Sequence, residues 1–166
     1  MTDQQRLSIY LNDHLAGAIA GSELARRAAS SNEGSELGRF LAELAEKIDQ
    51  DREWLERLMK LLDIRRNLAK DAAAWLSEKV GRLKLNGQVS GYSPLSKLVE
   101  LEGLSLGVNG KLSLWKTLKE LSRDDERIDA AEVDRLIEGA LSQAITLEEE
   151  RTNVIVHAFS TGKGRE

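Results

Sequence analysis

The sequence predicts an all-α fold, a single domain in which four long amphipathic helices form a bundle, and three observations carry that expectation. Alanine, leucine, glutamate, lysine and arginine dominate the chain, and these side chains lose little freedom in a helix. Proline occurs once and aromatic residues make up only 4%, so helix breakers and strand-favouring runs are scarce. Apolar residues recur every three or four positions almost throughout, the signature of a helix with one face turned inward. At 166 residues the chain is long enough to bury a real core.

The first helix is expected over about residues 3–31, where Leu7, Leu11, His14, Ala18, Gly21, Ala25 and Ala28 share a face. Thr2 and Gln5 have capping-box spacing, and Asn32 with Gly34 supplies the stop. The second helix, about 35–62, carries Leu37, Leu41, Leu44, Ile48, Asp51, Leu55, Leu58 and Leu62 inward. The turn between the two is so short that it demands an antiparallel hairpin. A shorter amphipathic helix is expected over 67–84, from Leu68, Ala72, Trp75, Leu76, Val80 and Leu83, and a Gly- and Ser-rich loop follows it. Ser93 and Pro94 read as an N-cap with proline at the first helical position. They open a helix over about 94–121, which Gly103, Gly107 and Gly110 weaken, so that close packing or a bend is expected there. The last helix, about 129–159, begins with a second capping box, Asp129 and Glu132. The tail from Thr161 should fray.

The pattern Leu11-Asn12 followed by Glu46-Lys47-Ile48-Asp49-Gln50-Asp51-Arg52-Glu53-Trp54-Leu55-Glu56-Arg57-Leu58 resembles helices one and two of the ferritin-like superfamily, of the bacterioferritin and rubrerythrin type. The resemblance implies an antiparallel four-helix bundle in which a long crossover, here containing the extra short helix, returns the chain to the opposite end. It also implies a carboxylate-bridged di-iron site, with ligand positions falling at Ala18, Lys47, Gln50, Glu102 and the Glu148–Arg151 run. Alanine, an ammonium and an amide cannot serve there, and only Glu102 and Glu148 keep a ligand's chemistry. The metal positions are therefore degenerate, and no metal or other cofactor is expected.

Four ionisable residues, one per long helix, interrupt the apolar stripes: His14, Asp51, Glu102 and Arg151. Counting along the helices from their turns puts His14 level with Asp51, and Glu102 level with Arg151. A buried charge must be paired, so a buried network of two ion pairs is expected, with Arg151 filling roughly the space of a metal ion. The competing reading is a non-standard metal site for iron, manganese or zinc built from His14, Asp51, Glu102 and Glu148. Glu23, Glu46 and Asp49 could add oxygen ligands to it. Neither histidine, His14 or His157, lies in a nucleophile motif, and no glycine pattern follows a strand, so triad and dinucleotide readings fail.

Function is thus expected to be non-enzymatic and to run through protein–protein interaction. A third reading is an amphipathic helical protein that binds lipid or another apolar ligand. The net charge of -4 argues against nucleic acid. No apolar run has membrane-spanning length, the amino terminus has no long apolar stretch behind it, and cysteine is absent, so a soluble, cytoplasmic protein is expected. The basic residues Arg65, Arg66, Lys70, Lys79, Arg82 and Lys84 concentrate in the crossover and read as a solvated or self-associating surface. Trp54, Trp75 and Trp115 are expected at the periphery and beneath the crossover. A homodimer is expected through apolar residues left over on helices two and three, Trp54, Met59, Leu112 and Trp115.

Overall fold

The computed structural model describes residues 3–67 and 92–159. Among them there are four helices and no strand: α1 (Gln4–Ser31), α2 (Glu36–Leu61), α3 (Pro94–Leu121) and α4 (Ala130–Phe159). The helix expected over 67–84 and the tail from Thr161 lie outside the described residues. α1 packs mainly on α2 and α3 mainly on α4, with α1 also against α3 and a sparse contact between α2 and α4.

Local chemistry sets the helix ends. Asp3 caps α1, its side chain accepting from the backbone N–H groups of Gln5 and Arg6, so the cap lies one residue beyond the Thr2 position that the spacing suggested. Ser35 caps α2 through the N–H of Gly38, and Ser93 caps α3 with Pro94 in the first turn. Asp129 accepts from Ala131 and Glu132. The Glu132 carboxylate does not fold back to close the capping box; it accepts instead from the Trp54 indole N–H at 2.6 Å. α2 ends with Asp63 in the left-handed region (φ 57) and the N–H of Ile64 bonded to the carbonyl of Met59 at 2.8 Å, a helix stop in which the following apolar residue turns into the core.

The interior is two apolar clusters rather than one. The first gathers Leu7, Leu11, Leu15, Leu55, Leu58, Met59, Leu62, Leu112, Trp115, Leu118 and Val133. The second gathers Ala25, Ala28, Leu37, Leu41, Leu44, Ile48, Leu98, Leu101, Leu104, Val108, Leu147 and Val154. Each cluster draws on all four helices, from opposite ends of each. Trp115 is corrected from the periphery to the core, at 1% exposure, with Trp54 edge-on against it at 5.5 Å between ring centroids. Met59 and Leu112 are buried as well. The face proposed for a dimer on α2 and α3 is therefore spent inside the bundle, because burying large apolar side chains in the monomer is worth more than leaving them for a partner.

α3 runs unbroken through its glycines. The close approach expected there occurs at Gly103, where an added Cβ would lie 3.3 Å from the Leu24 side chain of α1, while Gly107 and Gly110 face open space. The tightest glycine is Gly38 at the start of α2. A Cβ there would run into the backbone carbonyl of Asn32, and backbone cannot step aside as a side-chain tip can. Gly38→Ala is accordingly expected to cost about 3 kcal/mol, the upper end for overpacking, whereas Gly107→Ala should stabilise by about 0.5–1 kcal/mol because it only restricts the unfolded chain. Urea denaturation of the two variants side by side checks the contrast; equal effects would mean that the turn after α1 is looser than described.

Candidate functional site

Between the two apolar clusters lies a layer of polar side chains. Asp51 sits one turn past Ile48 and one before Leu55 on α2; Lys111 sits between Val108 and Leu112 on α3; Gln143 sits between Ala140 and Leu147 on α4. Helical periodicity turns all three toward the middle of the bundle. The Lys111 ammonium donates to the Asp51 carboxylate at 2.6 Å and to the Gln143 carbonyl oxygen at 2.5 Å. Only 12% of the Lys111 side chain and 17% of the Asp51 side chain reach solvent. α1 brings Ala18, a small residue packed against the second cluster, to the neighbouring stretch. Burial pushes the Asp51 carboxyl above its usual value, and the Lys111 charge, followed by the more distant Lys47, offsets part of that rise.

A second polar cluster closes one end. Glu100 is buried; one carboxylate oxygen accepts from the Tyr92 hydroxyl at 2.9 Å, and the other faces the Arg27 guanidinium at 3.3 Å. Asn32 donates to the Tyr92 oxygen at 2.9 Å and to the Ala28 carbonyl at 2.8 Å. Burial first, and then the Glu100 carboxylate, hold the Tyr92 phenol far above its ordinary value. A third cluster pins α1 to α2, where Asp49 accepts from Ser22 at 2.9 Å and pairs with Arg26 and with Arg52. All three clusters join helices, and each carboxylate in them already has a cation or hydroxyl partner.

The residues singled out from the sequence divide between places. Asp51 lies in the polar layer, but its partner is Lys111 and not His14. His14 is half-buried and stands edge-on to the Tyr10 ring at 4.6 Å, and burial lowers its pKa against a raising effect of Asp13. Glu102 and Arg151 do meet, at 3.8 Å. The pair is corrected from a buried one to a surface one: Glu102 is half exposed, and Arg151 is held more firmly by Glu148, through two hydrogen bonds of 2.6 and 2.8 Å on the outside of α4. The Arg151 guanidinium draws the Glu148 carboxyl below its usual range. His14, Asp51, Glu102 and Glu148 are thus not brought together, and among the described residues no three His, Cys, Asp or Glu side chains are gathered where a metal ion could sit. Of the possible extra ligands, Asp49 is occupied by its arginines, while Glu23 and Glu46 are exposed. Of the basic run, Arg66 pairs with Glu56 at 2.9 Å; Lys70, Lys79, Arg82 and Lys84 lie outside the described residues.

Sequence reasoning missed Lys111, Gln143 and Glu100. The first two carried a signal, since each sits at helical spacing between stripe residues. The protein has no significant match among protein-family models, curated proteins or solved structures. No helix of the described residues is long and apolar enough to cross a membrane.

Two outcomes follow from the layer's electrostatics. Lys111→Met strands a buried carboxylate and should cost roughly 3–5 kcal/mol, while adding Asp51→Leu to it should recover most of that loss, because a buried pair replaced by apolar groups is often neutral. Chemical denaturation of both variants checks this, and a double variant no better than the single one would refute it. The second outcome concerns pH. The folded Asp51 pKa is raised, so the folded state binds the proton more tightly. The contribution of Asp51 therefore falls as pH rises from the unfolded carboxyl value, about 3.9, through the raised folded value. Asp51→Asn, which keeps an acceptor for Lys111 but cannot titrate, should remove this part of the pH dependence across that window. Melting curves of both proteins from acid to neutral pH read the difference directly.

Proposed function

We propose that the protein is a ferritin-like bundle in which a covalently attached cation stands in for a bound metal, and that it works through contacts with other proteins rather than by catalysis. The observation that carries this reading is the Lys111 ammonium between Asp51 and Gln143, at the level where the two apolar clusters part. An ammonium there neutralises the inward carboxylate and would repel a divalent ion at short range.

Support for the ferritin-like topology comes from the order in which residues meet. Tyr10, Leu24 and Arg27 of α1 meet Thr117, Gly103 and Glu100 of α3, early residues against late ones. Ser22 meets Asp49 and Gln4 meets Leu62 in the same inverse sense, as do Lys119 with Asp134 and Glu102 with Arg151. Asp51 and Trp54 of α2 instead meet Lys111 and Trp115 of α3 in parallel, earlier residue with earlier and later with later. An up–down–down–up bundle satisfies all of these pairings. The end of α2 and the residues after it are held at Gln4 and Asn12, and the start of α3 at Asn32, beyond the other end of α1.

Elemental analysis of protein purified without chelator, together with melting curves in iron(II), manganese(II) and zinc(II), tests the proposal. The expected result is substoichiometric metal and no metal-dependent rise in melting temperature. One equivalent of metal that disappears in Asp51→Asn would overturn it.

A further inference from the structure

α1, α2 and α3 each leave one large apolar residue well exposed on the helix, Ile9, Leu61 and Leu106, whereas α4 leaves four: Leu141, Ile145, Val156 and Phe159, at 44, 63, 72 and 68% exposure. With Glu149 and Thr152, both exposed, these four follow steps of four, four, three, four and three residues. At about 100° per residue such steps keep to one side of a helix. This stripe lies away from the inward positions Val133, Ala140, Leu147 and Val154. It is about 27 Å long at the helical rise.

The stripe reads nearly the same in both directions. Leu141 and Phe159 lie nine residues before and after Glu150; Ile145 and Val156 lie five before and six after; Glu149 and Thr152 flank the centre. A surface that two identical chains share across a two-fold axis must be self-complementary, each residue meeting its counterpart's opposite number. We propose that this face of α4 is where a second copy of the chain docks, with the two α4 helices antiparallel about an axis between Glu149 and Thr152. Leu141 then meets Phe159 of the other copy, Ile145 meets Val156, and Glu149 meets Thr152. Apolar contacts lie at both ends of the seam and polar ones at its middle.

Two further observations bear on what covers the stripe. The described residues that flank 68–91, Asn67 and Tyr92, are held by Asn12 of α1 and by Asn32 of the turn after it, while α4 packs on α3 and sparsely on α2. A seam of one helix per chain is also at the small end of specific interfaces, which suits a weak, concentration-dependent dimer. The two Glu149 carboxylates approach near the axis and weaken it further. The inference is independent of whether the Asp51 layer holds a metal, so its failure would leave that reading untouched.

Sedimentation velocity on the full chain, from about 5 to about 500 μM to span weak association, tests the proposal. The parent should pass from monomer to dimer. Ile145→Glu combined with Val156→Glu should raise the dissociation constant at least about a hundredfold, since four charges would enter the apolar ends of the seam. Because both side chains are exposed, its circular dichroism melt should match the parent's. Glu149→Gln should lower the constant by about two- to tenfold by removing the like charges. A parent that stays monomeric throughout overturns the proposal and leaves the stripe to another partner. A dimer that survives the double substitution, or one weakened by Glu149→Gln, overturns it equally.

Discussion

Lys111 carries the constraint on which the arrangement of the bundle depends. From the inward face of α3 its ammonium must reach an oxygen on α2 and another on α4 at once. Apolar side chains alone would tolerate a slide of one helix along another, because one leucine layer resembles the next. Sliding α2 or α4 by one turn, about 5.4 Å, would instead strand a charge in a nearly dry interior. A polar group inside an otherwise apolar seam is the best-attested way of setting register. Here it sets it for three helices together. The cost is visible in Asp51, whose carboxyl burial makes harder to ionise.

The ends of the bundle are tied differently. At one end Glu100 is satisfied by Tyr92 and Arg27, and Asn32 reaches from the turn after α1 to the same phenol. This joins the start of α3 to the α1–α2 hairpin. At the other end Gln4 donates to the Leu62 carbonyl, and Arg127 approaches the Leu61 carbonyl from the α3–α4 turn. Each hairpin is thus closed by its own short turn and bolted to the other hairpin by side chains. Polar groups that would be costly if buried alone become the joints.

The helices were legible in the sequence because capping and periodicity are local. Ser35, Ser93 and Asp129 each present an oxygen to the first free N–H groups, and nothing distant is needed to see it. The interior polar residues were not legible in the same way. Glu100 lies four residues before Leu104 and Glu102 four after Leu98, so periodicity gives both glutamates the same claim to the core. What decides is partners from elsewhere: Tyr92 and Arg27 stand ready for Glu100, while Glu102 meets Arg151 at the surface. Lys111 was passed over for a related reason. A lysine at the edge of an apolar stripe ordinarily turns its ammonium outward along its flexible stem, and it is Asp51, sixty residues earlier on α2, together with Gln143 on α4, that turns it in. The family resemblance likewise placed the polar centre on Glu102 and Arg151, whereas the chain builds it around Lys111.

The division of the core also bears on how the chain folds. The turn between α1 and α2 adjoins the second apolar cluster, and the turn between α3 and α4 adjoins the first. Each hairpin can therefore zip from its own turn using contacts close in sequence, which form early and cheaply. The two zippers start at opposite ends of the molecule. Neither cluster is complete until the hairpins lie side by side, so the pairing of Lys111 with Asp51 waits for contacts distant in the chain. Native packing is complete only when the two halves meet at the charged layer.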